Sequence, residues 1–138
     1  MQVQPYLNFY GRCEEALAFY KEKLGAEVLF QMRFKEAPPE YAGPPELGER
    51  IMHATFKIGS SIVMASDGNP QQPKAGYAGC TLSINLDDVA AGEKLFNALA
   101  DGGQIGMPWG KTFWAKGFGM VADKFGVPWM VNVEEAHS

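Results

Sequence analysis

Hydrophobic and polar residues follow two different periods in the first half of this chain. Residues 3–9, 26–34, 51–58 and 61–66 show the two-residue alternation or the short apolar runs that are typical of strands. Between the first two runs, apolar residues recur at spacings of three and four over residues 13–24, which predicts an amphipathic helix. The first half is therefore predicted to have the element order β-α-β-β-β.

The same order of patterns returns in the second half. Strand patterns occupy residues 79–86, 104–108, 113–122 and 127–133, and a helical period covers residues 89–100. Repetition at this scale bears directly on the fold. The predicted fold class is α+β, built from tandem βαβββ modules.

A polar segment rich in glycine and proline, at about residues 68–77, separates the two repeats. Module one then spans about residues 1–67 and module two about residues 78–134, within a single domain. Each module would place one helix over one face of a four-stranded sheet. Pairing the two remaining concave faces would create a cleft lined by strands.

Two stretches depart from this regular pattern. Residues 35–50 contain four prolines, two glycines and four glutamates, which predicts a loop. This loop is either a lid or a surface excursion. Residues 107–133 contain all three tryptophans together with regularly placed glycines. Since aromatic rings bury large areas, that stretch is predicted to form a core hairpin, the wall of an apolar pocket, or both.

Composition and charge narrow the classes of partner. The 138 residues carry a formal net charge of -4, which argues against nucleic acid and anionic membranes because both require a basic surface. The two cysteines, Cys13 and Cys80, form no metal-binding or redox motif. No secretion signal and no apolar run long enough to span a membrane is visible, so a cytoplasmic location is expected.

Four segments carry a resemblance to a known family: PYLNFYG, EALAFYKEKLGAE, HATFKIGSSIVMASD and TFWAKGFGMVADKFGVPW. Together they resemble the PhnB-like branch of the vicinal oxygen chelate superfamily, which includes glyoxalase I, extradiol dioxygenases and fosfomycin-resistance proteins. This branch is also called 3-demethylubiquinone-9 3-methyltransferase-like. No glycine-rich strand-to-helix loop for S-adenosylmethionine is present, so methyl transfer is not expected. The resemblance implies a glyoxalase fold, a homodimer and a small-molecule ligand.

The resemblance also implies where a divalent metal would be held. The corresponding positions fall at Gln4, at Gly79 or Cys80, within residues 64–66 and at Met130. Thioethers and a lone thiol do not make a ligand set for such an ion. We therefore expect no metal and no other cofactor, with a metal-dependent lyase or dioxygenase as the alternative.

The catalytic residues stay unassigned, and the candidate ligand-binding residues are His53, Trp109, Trp114, Met64, Met130, Gln4 and Lys111. His53 lies on a predicted strand, either as an acid or base in the cleft or as a structural hydrogen-bonding group. We expect Trp109 or Trp114 to face the cleft. Lys111 would neutralise an anionic ligand or lie on the surface.

Other residues have structural interpretations. Trp129 is expected in the core, and Cys80 is expected to be a small buried apolar residue. Asp67 and Asp123 are expected to cap turns locally. Three functions follow: a metal-independent binder of a small, partly apolar ligand, a metalloenzyme of the same superfamily, or a structural protein whose paired sheet faces are packed without a cavity.

Overall fold

Each half of the chain forms a four-stranded sheet with one α-helix in the computed structural model, which describes residues 1–69 and 73–134. The chain divides into two units, Met1–Lys74 and Ala75–Ser138. Both units have the order β-α-β-β-β, which confirms the predicted α+β class with tandem βαβββ modules. None of the described helices is long and apolar enough to cross a membrane.

The first unit contains β1 (Tyr6–Asn8), α1 (Cys13–Leu24), β2 (Glu27–Arg33), β3 (Ile51–Ile58) and β4 (Ser61–Ser66). The strands lie in the order β1-β4-β3-β2, with β1 parallel to β4 and the other neighbours antiparallel. Tyr20 of α1 stacks on Phe56 of β3, with ring centroids 6.0 Å apart. This contact places the helix over one face of the sheet.

The second unit contains β5 (Leu82–Leu86), α2 (Val89–Leu99), β6 (Gln104–Gly110), β7 (Ala115–Ala122) and β8 (Pro128–Glu134). Its strand order is β5-β8-β7-β6, again with the first pair parallel. A Cβ on Gly119 of β7 would lie 2.6 Å from the Phe96 ring of α2. Helix and sheet therefore pack closely because the strand has a glycine there.

One end of each helix carries a residue that favours that position. Gly25 adopts a left-handed conformation, with φ of 69°, and ends α1. Asp88 caps the start of α2 by accepting a hydrogen bond from the Ala91 amide. Arg12 precedes α1 and makes no such cap. The missing bond comes instead from Asp67, whose Oδ1 accepts from the Cys13 amide at 2.8 Å.

Asp67 therefore does more than cap its own turn. It is 4% exposed, and its Oδ2 accepts from the Ile51 amide at 2.7 Å. One buried carboxylate thus joins the start of α1 to the start of β3. The interpretation of Asp67 as a local turn residue was wrong, because its backbone partners lie 54 and 16 residues away.

A bulge in β2 changes the predicted faces of that strand. Val28 pairs with Phe56, whereas Phe30 pairs with Thr55, because one extra residue lies between them. Since a one-residue shift moves later side chains to the opposite face, Val28 and Phe30 lie on opposite faces. The regular alternation that was predicted placed them together and was wrong there.

Hydrogen bonds join the two ends of the segment between β2 and β3, residues 34–50. It contains short 3₁₀ helices at Phe34–Glu36 and Pro45–Leu47, and the Lys35 amide donates to the Gly48 carbonyl at 3.1 Å. Arg33 pairs with Glu14 of α1, which raises the pKa of its guanidinium, and also donates to the Glu49 carbonyl. These contacts favour the predicted surface excursion over a lid.

Asp123 organises the turn between β7 and β8. It is 3% exposed and accepts from the Phe125 amide at 2.9 Å, the Val127 amide at 3.1 Å and the Trp129 indole at 2.9 Å. Trp129 is itself 3% exposed and belongs to the core, as expected. The predicted capping role of Asp123 is correct for the turn and extends to a buried aromatic side chain.

We predict that Asp123→Ala destabilises the protein by about 3 kcal/mol, because a buried indole N–H and two amides lose their acceptor. Urea denaturation followed by tryptophan fluorescence measures this change. Glu93→Ala, on the exposed side of α2, is the matched control and should stay within about 0.5 kcal/mol of the unmodified protein. Equal stability of both variants would contradict this role for Asp123.

Candidate functional site

Helix α1 covers one face of the first sheet, and a polar cluster lies on the other face. Met64 pairs with Tyr6 on one side and with Thr55 on the other. Paired residues share a face of the sheet, so these three side chains are neighbours there. We call this the first open face, and it also carries His53 and Phe30.

His53 is hydrogen-bonded through both ring nitrogens. Its Nδ1 lies 3.1 Å from the Tyr6 hydroxyl, and its Nε2 lies 3.1 Å from the Thr55 hydroxyl. A hydroxyl can donate or accept. Either neutral tautomer of His53 can therefore keep both bonds, which hold the ring in one orientation.

Aromatic rings surround the His53 imidazole. The ring centroids of Tyr6 and Phe30 lie 5.6 Å and 6.1 Å from that of His53. Tyr6 is 51% exposed and Phe30 is 48% exposed, so the cluster is accessible from the open face. A polar group held between aromatic surfaces suits a ligand that combines an apolar body with one polar function.

The second sheet has a corresponding open face with two cross-strand rows of side chains. The first row consists of Met107, Met120, Met130 and Ser83, and the second consists of Gly110, Phe118, Asn132 and Asn85. Trp114 extends the second row, because its ring packs edge-on against Phe118 at 5.2 Å. This second open face combines methionines and aromatic rings with a polar end.

The two candidate tryptophans lie on different sides of the second sheet. Trp109 packs between α2 and β7: a Cβ on Gly117 would lie 2.4 Å from its ring, and its centroid is 5.8 Å from that of Phe96. Trp114 is 43% exposed and lies on the second open face. The expectation that one of them contacts a ligand stays a prediction, and it now concerns Trp114.

Gln4 and Lys111 make fewer interactions than the other candidate residues. Gln4 precedes β1 and donates to the Gln2 side chain at 2.9 Å. Lys111 is exposed in the turn between β6 and β7. Thr112 shapes that turn by accepting from the Ala115 amide at 3.0 Å. Within the described residues, no hydrogen bond joins Gln4 or Lys111 to another candidate of its unit.

The positions implied for a divalent metal do not make a ligand set, although the side chain of Gln4 could coordinate one. Met64 and Met130 offer thioethers, which are poor ligands for hard cations. Cys80 is exposed, so the expectation that it is buried was wrong; β5 begins only at Leu82, after a turn at residues 78 and 79. Within residues 1–69 and 73–134, no three His, Cys, Asp or Glu side chains are grouped to hold a metal. His137 lies outside the described residues.

Several residues of the open faces were not predicted from the sequence. They are Tyr6, Phe30, Thr55, Ser83, Asn85 and Asn132. The two asparagines did leave a signal, because asparagine is depleted in strands. Asn85 and Asn132 each lie within a short apolar strand and are paired across β5 and β8.

Cys13, in contrast, is a buried thiol with no catalytic character. It is 0% exposed, and burial, together with the negative charges of Asp67 and Glu14, raises the pKa of its thiol from 9.0 to about 12. A thiolate is the reactive form of cysteine. Cys13 is therefore held in its unreactive form at neutral pH.

Known proteins resemble this chain over nearly its whole length. The profile of the Glyoxalase/Bleomycin resistance protein/Dioxygenase superfamily matches residues 3–131. Protein YjdN of Escherichia coli (strain K12) is 43% identical over 141 residues, covering 96% of this chain and 95% of YjdN.

Solved structures show the same similarity over nearly the whole chain. Protein PA1353 from Pseudomonas aeruginosa superimposes with a TM-score of 0.88 at 46% identity, covering 99% of each chain. The PhnB protein from Bacillus cereus superimposes with a TM-score of 0.79 at 27% identity, covering 96% of this chain and 98% of PhnB.

We predict that Cys13 makes stability depend on pH between 9 and 12. Below pH 9.0 the thiol is protonated in both the folded and the unfolded chain. Above it, only the unfolded chain releases the proton, so the free energy of unfolding falls until the pH reaches about 12. Over this pH range, the free energy of unfolding of Cys13→Ala should fall by a few kcal/mol less than that of the unmodified protein, because one pKa unit corresponds to about 1.4 kcal/mol. Urea denaturation at each pH measures the difference.

Thiol labelling supplies the control. Iodoacetamide at neutral pH should modify Cys80 in the folded protein and both cysteines in urea, as measured by mass spectrometry. Identical pH profiles for the Cys13→Ala variant and the unmodified protein would contradict the proposed linkage.

Proposed function

The chain belongs to the Glyoxalase/Bleomycin resistance protein/Dioxygenase superfamily, in its PhnB-like branch, and from this premise we propose that it binds a small, partly apolar molecule without a metal ion. The ligand would lie against the open face of a sheet. The observation that carries this proposal is the placement of methionine at the centre of each open face.

Met64 and Met130 occupy equivalent places in the two units. Each lies on the last strand of its module, next to the parallel first strand: Met64 beside Tyr6, and Met130 beside Ser83. A superfamily metal site would need carboxylate or imidazole donors there. Methionine instead provides a flexible, polarizable surface that adapts to irregular apolar ligands.

His53 would position the polar groups that meet the ligand on the first open face. Both of its nitrogens are held by the hydroxyls of Tyr6 and Thr55. Each hydroxyl keeps further hydrogen-bonding capacity, so these fixed hydroxyls would bind the ligand. A pre-positioned polar group in an apolar site adds specificity without the cost of ordering it. The arrangement supports recognition of one hydrogen-bonding function on the ligand.

The oligomeric state and location belong to the same proposal. The resemblance implies a homodimer, and light scattering at micromolar concentration would test it, with a monomer counting against it. The cytoplasmic location likewise stays a prediction.

We predict that the purified protein contains far less than one metal ion per chain, because the chelate positions lack suitable donors. Elemental analysis measures this content. Thermal denaturation with added Mn²⁺, Ni²⁺, Zn²⁺ or Fe²⁺ should show no stabilisation specific to one ion. Stoichiometric metal, or a large stabilisation by one ion, would instead support the alternative of a metal-dependent lyase or dioxygenase.

We predict that His53→Leu weakens the binding of the ligand by about tenfold or less, because the hydroxyls of Tyr6 and Thr55 lose the hydrogen bonds that position them. A thermal-shift screen of aromatic metabolites, small acids, thiols and phosphonates would first identify compounds that stabilise the native state. Calorimetry would then compare the variants with the best compound.

Glu93→Ala, on the exposed side of α2, is the control variant and should bind as the unmodified protein does. If no compound binds, the proposed function is wrong, and a structural role is favoured.

A further inference from the structure

The polar end of the second open face is a ladder of three side chains. Asn132 Nδ2 donates to Asn85 Oδ1 at 3.3 Å, and the Ser83 hydroxyl donates to the same oxygen at 3.4 Å. Both distances are long for neutral hydrogen bonds. The ladder therefore holds the amide of Asn132 loosely, and Asn85 Oδ1 is its only acceptor among the described residues.

One atom of this ladder lacks a partner. The Oδ1 of Asn132 is buried and accepts no hydrogen bond from the described residues. A buried carbonyl oxygen without a donor destabilises the folded protein, and such groups in native structures call for an explanation. An apolar side chain would avoid this penalty, so the amide is better explained by recognition than by stability.

The surroundings of the ladder select against anions. A depression of about 390 Å³ opens where the parallel strands β5 and β8 both end, and it is lined by Asn85, Leu86, Asp87 and Glu134. Of the described residues that line it, two carry carboxylates and none carries a positive charge. A ligand carboxylate or phosphonate would be repelled there, whereas a neutral group with N–H donors would not.

Apolar side chains continue from the ladder along both rows of the second open face. Phe118 pairs with Asn132, and Met130 pairs with Ser83. Trp114 packs on Phe118. An aromatic or aliphatic body attached to the polar group would thus lie over these side chains.

We propose that Ser83, Asn85 and Asn132 form a hydrogen-bonding subsite for a neutral carboxamide, carried by an aromatic or aliphatic ligand. The ligand N–H donates to Asn132 Oδ1, and Asn85 Nδ2 donates to the ligand carbonyl. The amide of Asn132 turns about its soft terminal torsion to meet the ligand. This inference rests on the proposed function and names the chemical class of its ligand.

Benzamide is a suitable probe, since it joins one carboxamide to one aromatic ring. NMR titration would follow the side-chain amide signals of Asn85 and Asn132. Acetophenone keeps the shape and the carbonyl but lacks the N–H, so its binding should be about tenfold weaker. Benzoate should be excluded by the carboxylates, and benzamidine, which offers donors only, should bind more weakly than benzamide.

Two variants test the residues. Asn132→Leu should weaken benzamide binding by about tenfold or more while raising the melting temperature, because the unpartnered oxygen is removed. Asn85→Ala, an exposed position that folding tolerates more readily, should weaken binding with little change in melting temperature. Glu93→Ala on the exposed side of α2 is the control and should bind benzamide normally.

The outcomes separate the two proposals. If benzamide and benzoate bind equally, if benzamidine binds best, or if Asn85→Ala binds as well as the unmodified protein, the carboxamide subsite is wrong. If compounds from the thermal-shift screen bind while benzamide does not, the subsite fails and the proposed function stands. If neither benzamide nor any screened compound binds, both fail.

Discussion

Each unit of this protein has one α-helix for a four-stranded sheet, and this imbalance determines what the rest of the unit can do. Helix α1 covers one face of the first sheet through contacts such as Tyr20 on Phe56, and α2 covers one face of the second through Phe96 on Gly119. The side chains on the opposite faces do not pack against a helix, so helix packing does not restrict which residues occur there. They carry His53 with its two hydroxyl partners on one sheet, and methionines with an asparagine pair on the other. The helix-covered faces explain the fold, whereas the open faces carry the candidates for function.

Much of this fold could be predicted from the sequence because its signals are local. The period of residues 13–24 and the glycine that follows it determine α1, and β3 and β4 are bounded by a tight turn, so these elements have the predicted limits. The family resemblance, the fold class and the tandem order were also correct. The errors arise where non-local geometry decides. The bulge in β2 shifts Phe30 to the other face. A turn before β5 exposes Cys80.

The candidate site was harder to predict than the fold for the same reason. Register places Trp109 under α2 and Trp114 on the open face, although the two residues are only five positions apart. Irregularities in the pairing of β6 with β7 break the alternation within β6, so Met107 lies on the open face and Trp109, two residues later, lies under α2. Tyr6 and Thr55 acquire a role only once β1 and β3 both lie beside β4 and the two hydroxyls meet the His53 ring. A superfold supports many chemistries, so the function has to be argued from such side chains rather than from the family.

The treatment of buried polar atoms distinguishes the structural part of the molecule from the part that faces a ligand. Asp67 and Asp123 are almost fully buried. Asp67 accepts a backbone hydrogen bond on each carboxylate oxygen, and Asp123 accepts from backbone amides on one oxygen and from an indole on the other. Such saturated groups stabilise the connections between helix, strand and turn. Asn132 is the opposite case, since its carbonyl oxygen is buried without a donor among the described residues, and its amide makes one long hydrogen bond. The buried carboxylates are fully hydrogen-bonded, so imperfect packing is a poor explanation for this one unsatisfied oxygen. It lies beside an exposed surface of aromatic rings and methionines, and a partner for the second open face explains it better.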